Sequence, residues 1–169
     1  MAQLIYAWEL GGQLGHLGKA ASIAPIIEEA GHGMAVVGRD LARAHDFEPL
    51  RHLPLFQAPV WFPRVRKSPG AACSTAEILP HAGYLSAERL TPLVRAWMGL
   101  FEALSADAVI ADYAPTAELA ALCLGLPRMS IGHGFYPPPT DNRPIPPFMP
   151  GGASAAQRSD LESRIDRTL

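Results

Sequence analysis

The sequence predicts an α/β fold, with a Rossmann-like, open and mainly parallel sheet that has helices on both faces. Short apolar segments alternate with longer segments of helical spacing, and glycine-rich turns separate them. Residues 3–38 have the order strand, glycine turn, helix, glycine, strand, and residues 107–131 have the order strand, helix, strand. Because such βαβ units build parallel sheets covered by helices, we expect about five parallel strands.

The amino-terminal unit gives the clearest pattern. Residues 3–9 form an apolar run short enough for a buried strand, and apolar residues then recur at helical spacing from Leu17 to Ala30. Pro25 lies inside this helix and predicts a kink or a break. Gly31 is a plausible end of the helix, and a second strand is expected from Met34 to Val37.

The elements after residue 50 are assigned by the same criteria. We expect a third strand near Leu53–Gln57, a Pro- and Gly-rich loop over 58–74, and a short helix that Pro80 interrupts. A long amphipathic helix is predicted over 86–106, with Trp97 in its apolar stripe. It is followed by a strand at 107–112, a helix that ends at Gly125, and a last strand before a glycine-rich turn.

Three parts of the chain are distinguished by composition. Residues 1–136 are expected to form the Rossmann-like domain, and 137–152 to form a Pro/Gly-rich linker. Residues 153–169 are polar and prone to helix, but they have little apolar face. This terminal helix therefore needs a partner, or it frays.

Composition limits the classes of function. The 169 residues are 49% hydrophobic and 18% charged, as in globular proteins, and the net charge of -2 argues against a nucleic-acid partner. Cys73 and Cys123 are expected to be reduced thiols, and no spacing of Cys and His predicts a metal site. The sequence has no signal-peptide pattern and no apolar run long enough to span a membrane, so a cytoplasmic protein is expected.

In parallel α/β sheets, ligands bind at the carboxyl ends of the strands, so the loop 10–16 is a candidate ligand-binding segment. Its motif "GGQLGH" contains Gly11, Gly12 and Gly15, which either make a tight turn or let backbone approach a ligand closely. The motif does not fit the GxGxxG fingerprint. Asp40 lies beyond the end of the second predicted strand, and that end is where the fingerprint places the acidic residue that binds a ribose. A nicotinamide-dependent oxidoreductase is therefore disfavoured, and no cofactor is predicted.

Three stretches together carry a resemblance to a known family. They are "ELGGQLGHLGKAASIAPIIEEAGHGMAVVGRDL", "ADAVIADYAPTAELAALCLGLPRMSIGHGFYPPP" and "RPIPPF". In order and spacing they resemble the amino-terminal, acceptor-binding domain of GT-B glycosyltransferases, in the bacterial group related to UDP-glucosyltransferases and MurG-like enzymes. The resemblance covers about residues 3–150.

The resemblance implies roles for particular residues. His16 would be the general base on an acceptor hydroxyl, and Asp112 would orient its imidazole, which is sound chemistry for a weak nucleophile. Two alternatives stay open: His16 as a helix-start residue that contacts backbone, and Asp112 as the N-cap of the next helix. Residues expected to contact substrate are Trp8, Glu9, Gly11, Gly12, Gly15, His133 and Phe135, and Trp61 with Phe62 would form an apolar wall.

The chain departs from the family in length, because a GT-B enzyme needs about twice as many residues. We expect a small-molecule acceptor here, and a nucleotide-sugar only through a further domain or a partner chain. This chain alone is then inactive, and exposed apolar surface near His16, His133 and Phe135 would be covered by a donor domain or by self-association. The alternative is a non-catalytic domain for small-molecule binding or interaction.

Overall fold

A computed structural model describes residues 1–61, 72–132, 137–138 and 141–169. Five strands form one parallel sheet in the order β3-β2-β1-β4-β5. The α/β fold and the parallel sheet predicted from the sequence are therefore confirmed. The strands are β1 (Gln3–Trp8), β2 (Gly33–Gly38), β3 (Leu55–Gln57), β4 (Ala108–Asp112) and β5 (Arg128–Ile131).

Helices connect or follow these strands close to the predicted positions. They are α1 (Gly15–Glu29), α2 (Thr75–Ile78), α3 (Ala87–Ala103), α4 (Pro115–Cys123) and α5 (Ala155–Asp166). The possibility that Pro25 breaks α1 is wrong, because the helix runs through it. A proline removes one backbone hydrogen bond, and the burial of Leu17, Ala20 and Ala24 on the same helix outweighs that loss.

The strand order places a topological switch point between β1 and β4. The chain leaves β1 toward β2 on one side, whereas it leaves β4 toward β5 on the other side. Right-handed crossovers then put α1 and α4 on opposite faces of the sheet, with helices on both faces as predicted. The carboxyl ends of β1 and β4 diverge at this point, which is where open α/β sheets bind ligands.

The two faces of β1 bury different side chains. Tyr6 and Trp8 belong to the core that α1 covers, together with Leu17, Met34 and Val36. Ile5 and Ala7 alternate with them and are also fully buried. Because both faces are covered, β1 is apolar from Leu4 to Trp8, which explains why this part of its sequence shows no polar alternation.

The chain divides into two compact units, 1–59 with 94–132 and 60–93 with 133–169. The first unit holds the sheet, α1 and α4, and Trp97 is fully buried, as expected of a core residue. Neither Cys73 nor Cys123 forms a disulfide. None of the helices in the described part of the chain is both long and apolar enough to cross a membrane.

In the second unit the terminal helix has the partner that its composition required. A capping box joins Ser154 and Gln157 at the start of α5, and the helix packs against α2. Glu162 is buried, and its carboxylate accepts hydrogen bonds from the Ile145 backbone and the Arg143 side chain. The division into a linker at 137–152 and a separate helix at 153–169 stays a prediction.

Candidate functional site

The carboxyl ends of β1 and β4 bring His16 and Asp112 into direct contact. Trp8 and Asp112 are neighbours in register, so their side chains lie on the same face of the sheet, the face that α1 covers. His16 lies in the first turn of α1. Its Nδ1 is 2.7 Å from Asp112 Oδ2, although 96 residues separate them in sequence. This contact is the centre of the candidate site.

Asp112 is a fully buried carboxylate with three hydrogen-bond donors. Tyr6 donates its hydroxyl to Oδ2 at 2.6 Å, and Lys19 donates its ammonium to Oδ1. Burial acts to raise the pKa of Asp112, but hydrogen bonds from His16, Lys19 and Tyr6 together outweigh it and hold the pKa below its usual value. Asp112 is therefore ionised at neutral pH.

The ionised Asp112 fixes the tautomer of neutral His16. A carboxylate facing Nδ1 requires the hydrogen on that nitrogen, which leaves the lone pair on Nε2. The imidazole stacks on Trp8, with the ring centroids 4.8 Å apart and the planes 15° apart. Trp8 is itself fixed, because its indole N–H donates to the carbonyl of Leu10 at 2.8 Å.

The Nε2 edge of His16 lies beside an exposed loop. The His16 side chain is 15% exposed, and Gly11 to Gly15 are all exposed. No residue in the described ranges forms a hydrogen bond with Nε2. A neutral imidazole with a buried carboxylate on one nitrogen, and no hydrogen-bond partner among the described residues on the other, is suited to accept a proton from a bound molecule.

The three glycines of the loop differ in what they do for the fold. Gly11 has a φ of +83°, and a Cβ there would lie 2.6 Å from His16 Nε2. A Cβ at Gly12 or Gly15 would meet nothing within 4 Å. The turn therefore needs glycine at 11, whereas the glycines at 12 and 15 leave open space on the loop surface.

We expect Gly11→Ala to destabilise the protein by about 1–3 kcal/mol, because a left-handed residue would be strained and its Cβ would displace His16. Chemical denaturation of both variants measures the effect. Gly12→Ala is the matched control and is expected to change the free energy of unfolding by less than about 0.5 kcal/mol. Equal effects from the two substitutions would contradict this account of the loop.

Glu9 serves the opposite face of the sheet. Its carboxylate is buried and accepts hydrogen bonds from the Thr116 backbone N–H at 2.8 Å and the Thr116 hydroxyl at 2.5 Å. It therefore accepts hydrogen bonds at the start of α4, where backbone N–H groups have no partner within the helix. The structure places the Glu9 side chain there and not at the edge of the His16 ring.

The same geometry corrects the alternative role for Asp112. The N-cap position of α4 is Ala114, and no N-cap side chain contributes a hydrogen bond there. Asp112 lies on the α1 face of the sheet, and its carboxylate is occupied by His16, Lys19 and Tyr6. The N-cap role for Asp112 is thus wrong, because α4 lies across the sheet and Glu9 supplies the acceptor.

The buried position of Glu9 predicts a pH-dependent stability. Burial raises the pKa of Glu9 from 4.5 to about 7, despite hydrogen bonds from Thr116 and Ala117 and the charge of Arg39, which lower it. Between these two values the folded protein holds a proton that the unfolded chain has released. The free energy of unfolding therefore falls as the pH rises from about 4.5 to about 7.

We expect Glu9→Gln to remove this pH dependence. The glutamine amide matches the protonated carboxyl: its oxygen accepts from the Thr116 N–H, and its N–H donates to the Thr116 hydroxyl. At pH 8 the variant should be more stable than the wild type by up to about 3 kcal/mol, and at pH 4.5 the two should be nearly equal. Urea denaturation across this pH range measures it, and parallel curves for the two proteins would refute the prediction.

Other predicted site residues have different outcomes. His133, Phe135 and Phe62 lie outside the described residues, and Trp61 belongs to the unit of 60–93 and 133–169, where Arg89 lies over its ring. Of the expected apolar surface near His16, Leu14 is present at 38% exposure. In the described ranges, no group of three or more His, Cys, Asp or Glu side chains is placed to hold a metal.

Sequence reasoning missed Tyr6 and Lys19. Lys19 follows His16 by three residues, so both share one face of α1, and Tyr6 precedes Trp8 by two residues on one face of β1. Those spacings put both residues on the side of Asp112. The signal was therefore present, but it becomes meaningful only when β4 is known to lie next to β1.

Solved structures with a similar fold are glycosyltransferases. The match with MurG of Acinetobacter baumannii covers 95% of this chain and 39% of the MurG chain, with a TM-score of 0.55 and 16% sequence identity. The match with a glycosyltransferase of Streptomyces sp. SF2575 covers 100% of this chain and 45% of that enzyme, with a TM-score of 0.55 and 16% sequence identity. The match with a calicheamicin glycosyltransferase covers 83% of this chain and 34% of that enzyme, with a TM-score of 0.55 and 17% sequence identity.

The sequence comparisons add no closer relative, since no family model and no curated protein matches the chain. The chain spans less than half the length of the three glycosyltransferases it resembles. At these identities the likeness concerns the fold. The chain has the Rossmann-like α/β fold that forms one part of the GT-B glycosyltransferases.

Proposed function

We propose that this chain is the acceptor-binding part of a glycosyltransferase, with His16 as the general base. It would take a hydroxyl-bearing small molecule and present its oxygen to a nucleotide-sugar. The single observation that carries the proposal is the His16 Nδ1 to Asp112 Oδ2 contact of 2.7 Å, at the switch point of the sheet. With the hydrogen on Nδ1, the contact leaves the lone pair on Nε2, the nitrogen that faces Gly11 in the exposed loop.

The proposed step balances as a simple displacement. The acceptor hydroxyl donates to His16 Nε2, and its proton moves to that nitrogen as the oxygen bonds to the anomeric carbon. The bond from that carbon to the diphosphate oxygen breaks, and the nucleoside diphosphate leaves with the electron pair. Asp112 stabilises the imidazolium that forms, as the carboxylate of a catalytic triad does.

The loop 11–15 supplies surface for the acceptor. Gly12 and Gly15 leave space that a ligand can enter, and the exposed Leu14 offers apolar contact. Trp8 does not reach the surface, since it is 2% exposed, so its role is to hold the imidazole plane. The nucleotide-sugar would be bound by a donor domain or a partner chain of the kind that completes GT-B enzymes.

Sugar transfer to a panel of hydroxyl-bearing acceptors tests the proposal, with mass spectrometry to detect the product. The chain is assayed alone and together with the donor-binding part that follows it or is encoded beside it. Transfer that requires both parts supports the proposal. Acceptor binding without transfer in every combination would overturn it and favour a non-catalytic binding domain.

A further inference from the structure

Lys19 and His16 share the Asp112 carboxylate. The imidazole takes Oδ2, whereas the ammonium takes Oδ1. Both donors belong to α1 and lie three residues apart, so they share one helix face and contact the same buried carboxylate. The Lys19 side chain is 21% exposed and the Asp112 side chain is 0% exposed. This pair is therefore an ion pair whose anion has no access to water.

A buried carboxylate must be compensated by a cation or by protonation. If His16 and Asp112 were alone, a protonated imidazole would be the nearest available cation. Lys19 already supplies a positive charge, so Asp112 is compensated without a proton added to His16. A second positive charge, on His16, would be repelled by Lys19 across the shared carboxylate.

The other ionisable groups near Asp112 do not replace Lys19. Burial, and then the hydrogen bond to Asp112, raise the pKa of Tyr6 far above the neutral range, so its hydroxyl stays uncharged. Glu9 directs its carboxylate to α4 on the opposite face, and Arg39 donates to the Glu9 carbonyl. Glu118 on α4 accepts from Ser130. Among the described lysines and arginines, Lys19 is the one that forms an ion pair with Asp112.

We propose that Lys19 is a positioning residue that balances the charge of Asp112 and thereby keeps His16 neutral and able to accept a proton. This inference rests on the proposed function for its catalytic meaning. The charge state of His16 can nevertheless be measured without any transfer reaction. The two ideas can therefore fail separately.

A positive charge at position 19 is what this geometry needs, and lysine supplies it as an ammonium on one carboxylate oxygen. Of the 14 Lys and Arg residues in the chain, only Lys19 and Lys67 are lysine. An ammonium is a compact point charge that occupies one carboxylate oxygen. A compact cation on Oδ1 leaves Oδ2 for His16 and Tyr6.

The first experiment follows the ¹⁵N resonances of His16 against pH in wild type and Lys19→Met. Loss of the cation removes its repulsion of the imidazolium, so the signal of the neutral ring should be lost at a higher pH than in the wild type. Lys19→Gln, which keeps a donor without the charge, should behave as Lys19→Met does, and Lys19→Arg should stay near the wild type. Arg43→Met is the matched control, because it breaks an exposed ion pair with Asp46.

The second experiment measures sugar transfer against pH in the assembled enzyme. Lys19→Met should reduce kcat about tenfold at the acid limb of the profile, and less than twofold at pH 8.5, whereas Lys19→Arg should keep the shape of the wild-type profile. A purely structural lysine would lower the rate equally at all pH values. An unchanged His16 titration in both neutral variants, or a pH-independent loss, would overturn the proposal for Lys19 even where transfer itself is observed.

Discussion

Replacement of His16 by alanine is expected to lower kcat for sugar transfer by about 10²–10⁴, with a much smaller change in KM. The imidazole acts in the proposed transition state and contributes little to holding the acceptor before the reaction. The substitution removes an aromatic contact with Trp8 and one of three donors to Asp112. Tyr6 and Lys19 still compensate the carboxylate, so we expect the variant to fold.

His45→Ala is the control for the first prediction. His45 is exposed, and its contact with Arg51 uses the backbone carbonyl, which alanine retains. Its kcat and KM should both stay within about twofold of the wild type, as expected of a surface position. A His16→Ala enzyme with wild-type kcat would remove His16 from the mechanism, whatever the loop contributes to binding.

Asp112→Ala is expected to destabilise the protein by about 3 kcal/mol at pH 7. Removal of one partner from a buried ion pair typically costs about 3–5 kcal/mol, because the other partner loses its counter-charge. We expect a loss of stability at the low end of this range, because Lys19 is partly exposed and its ammonium can turn toward water. Urea denaturation of the isolated chain measures the loss.

The pH dependence of the free energy of unfolding distinguishes the contribution of the Asp112 charge from that of its side-chain volume. Its pKa is lowered from 3.8 by the donors around it, so its ionised form contributes stability above about pH 4, and that stability is lost as the pH falls through the lower, folded value. Asp112→Asn should therefore be less stable than the wild type at pH 7, and the difference should narrow below pH 4. Asp46→Asn in the exposed pair with Arg43 is the control and should cost less than about 1 kcal/mol. A constant difference across this range would contradict the role given to the charge.

The unit from β1 to β2 could be predicted from local sequence. Each signal acts within a few residues: the apolar run, the glycine turn, the helical spacing and Gly31. Gly31 indeed follows the helix, and its φ is +76°. The same is true of β4 and α4. Element type depends on such local preferences, which is why the predicted and observed bounds agree within a few residues.

The site was only partly predictable. His16 and Asp112 were chosen because their stretches resemble one family, and the structure then brings them together. Glu9 was predicted to contact substrate, yet its carboxylate lies at the start of α4. A residue just after a strand can turn to either face, and no local pattern decides which one.

The sequence by itself determined the class of fold, the order of strands and helices along the chain, and the glycine loop that carries His16. Only the tertiary structure decided that β4 lies beside β1, so that Asp112 meets His16, Lys19 and Tyr6 while Glu9 binds α4 on the other face. The physical reason is that helix and turn preferences are local, whereas strand pairing joins residues about a hundred positions apart. The ionic partners of a buried carboxylate follow from that pairing.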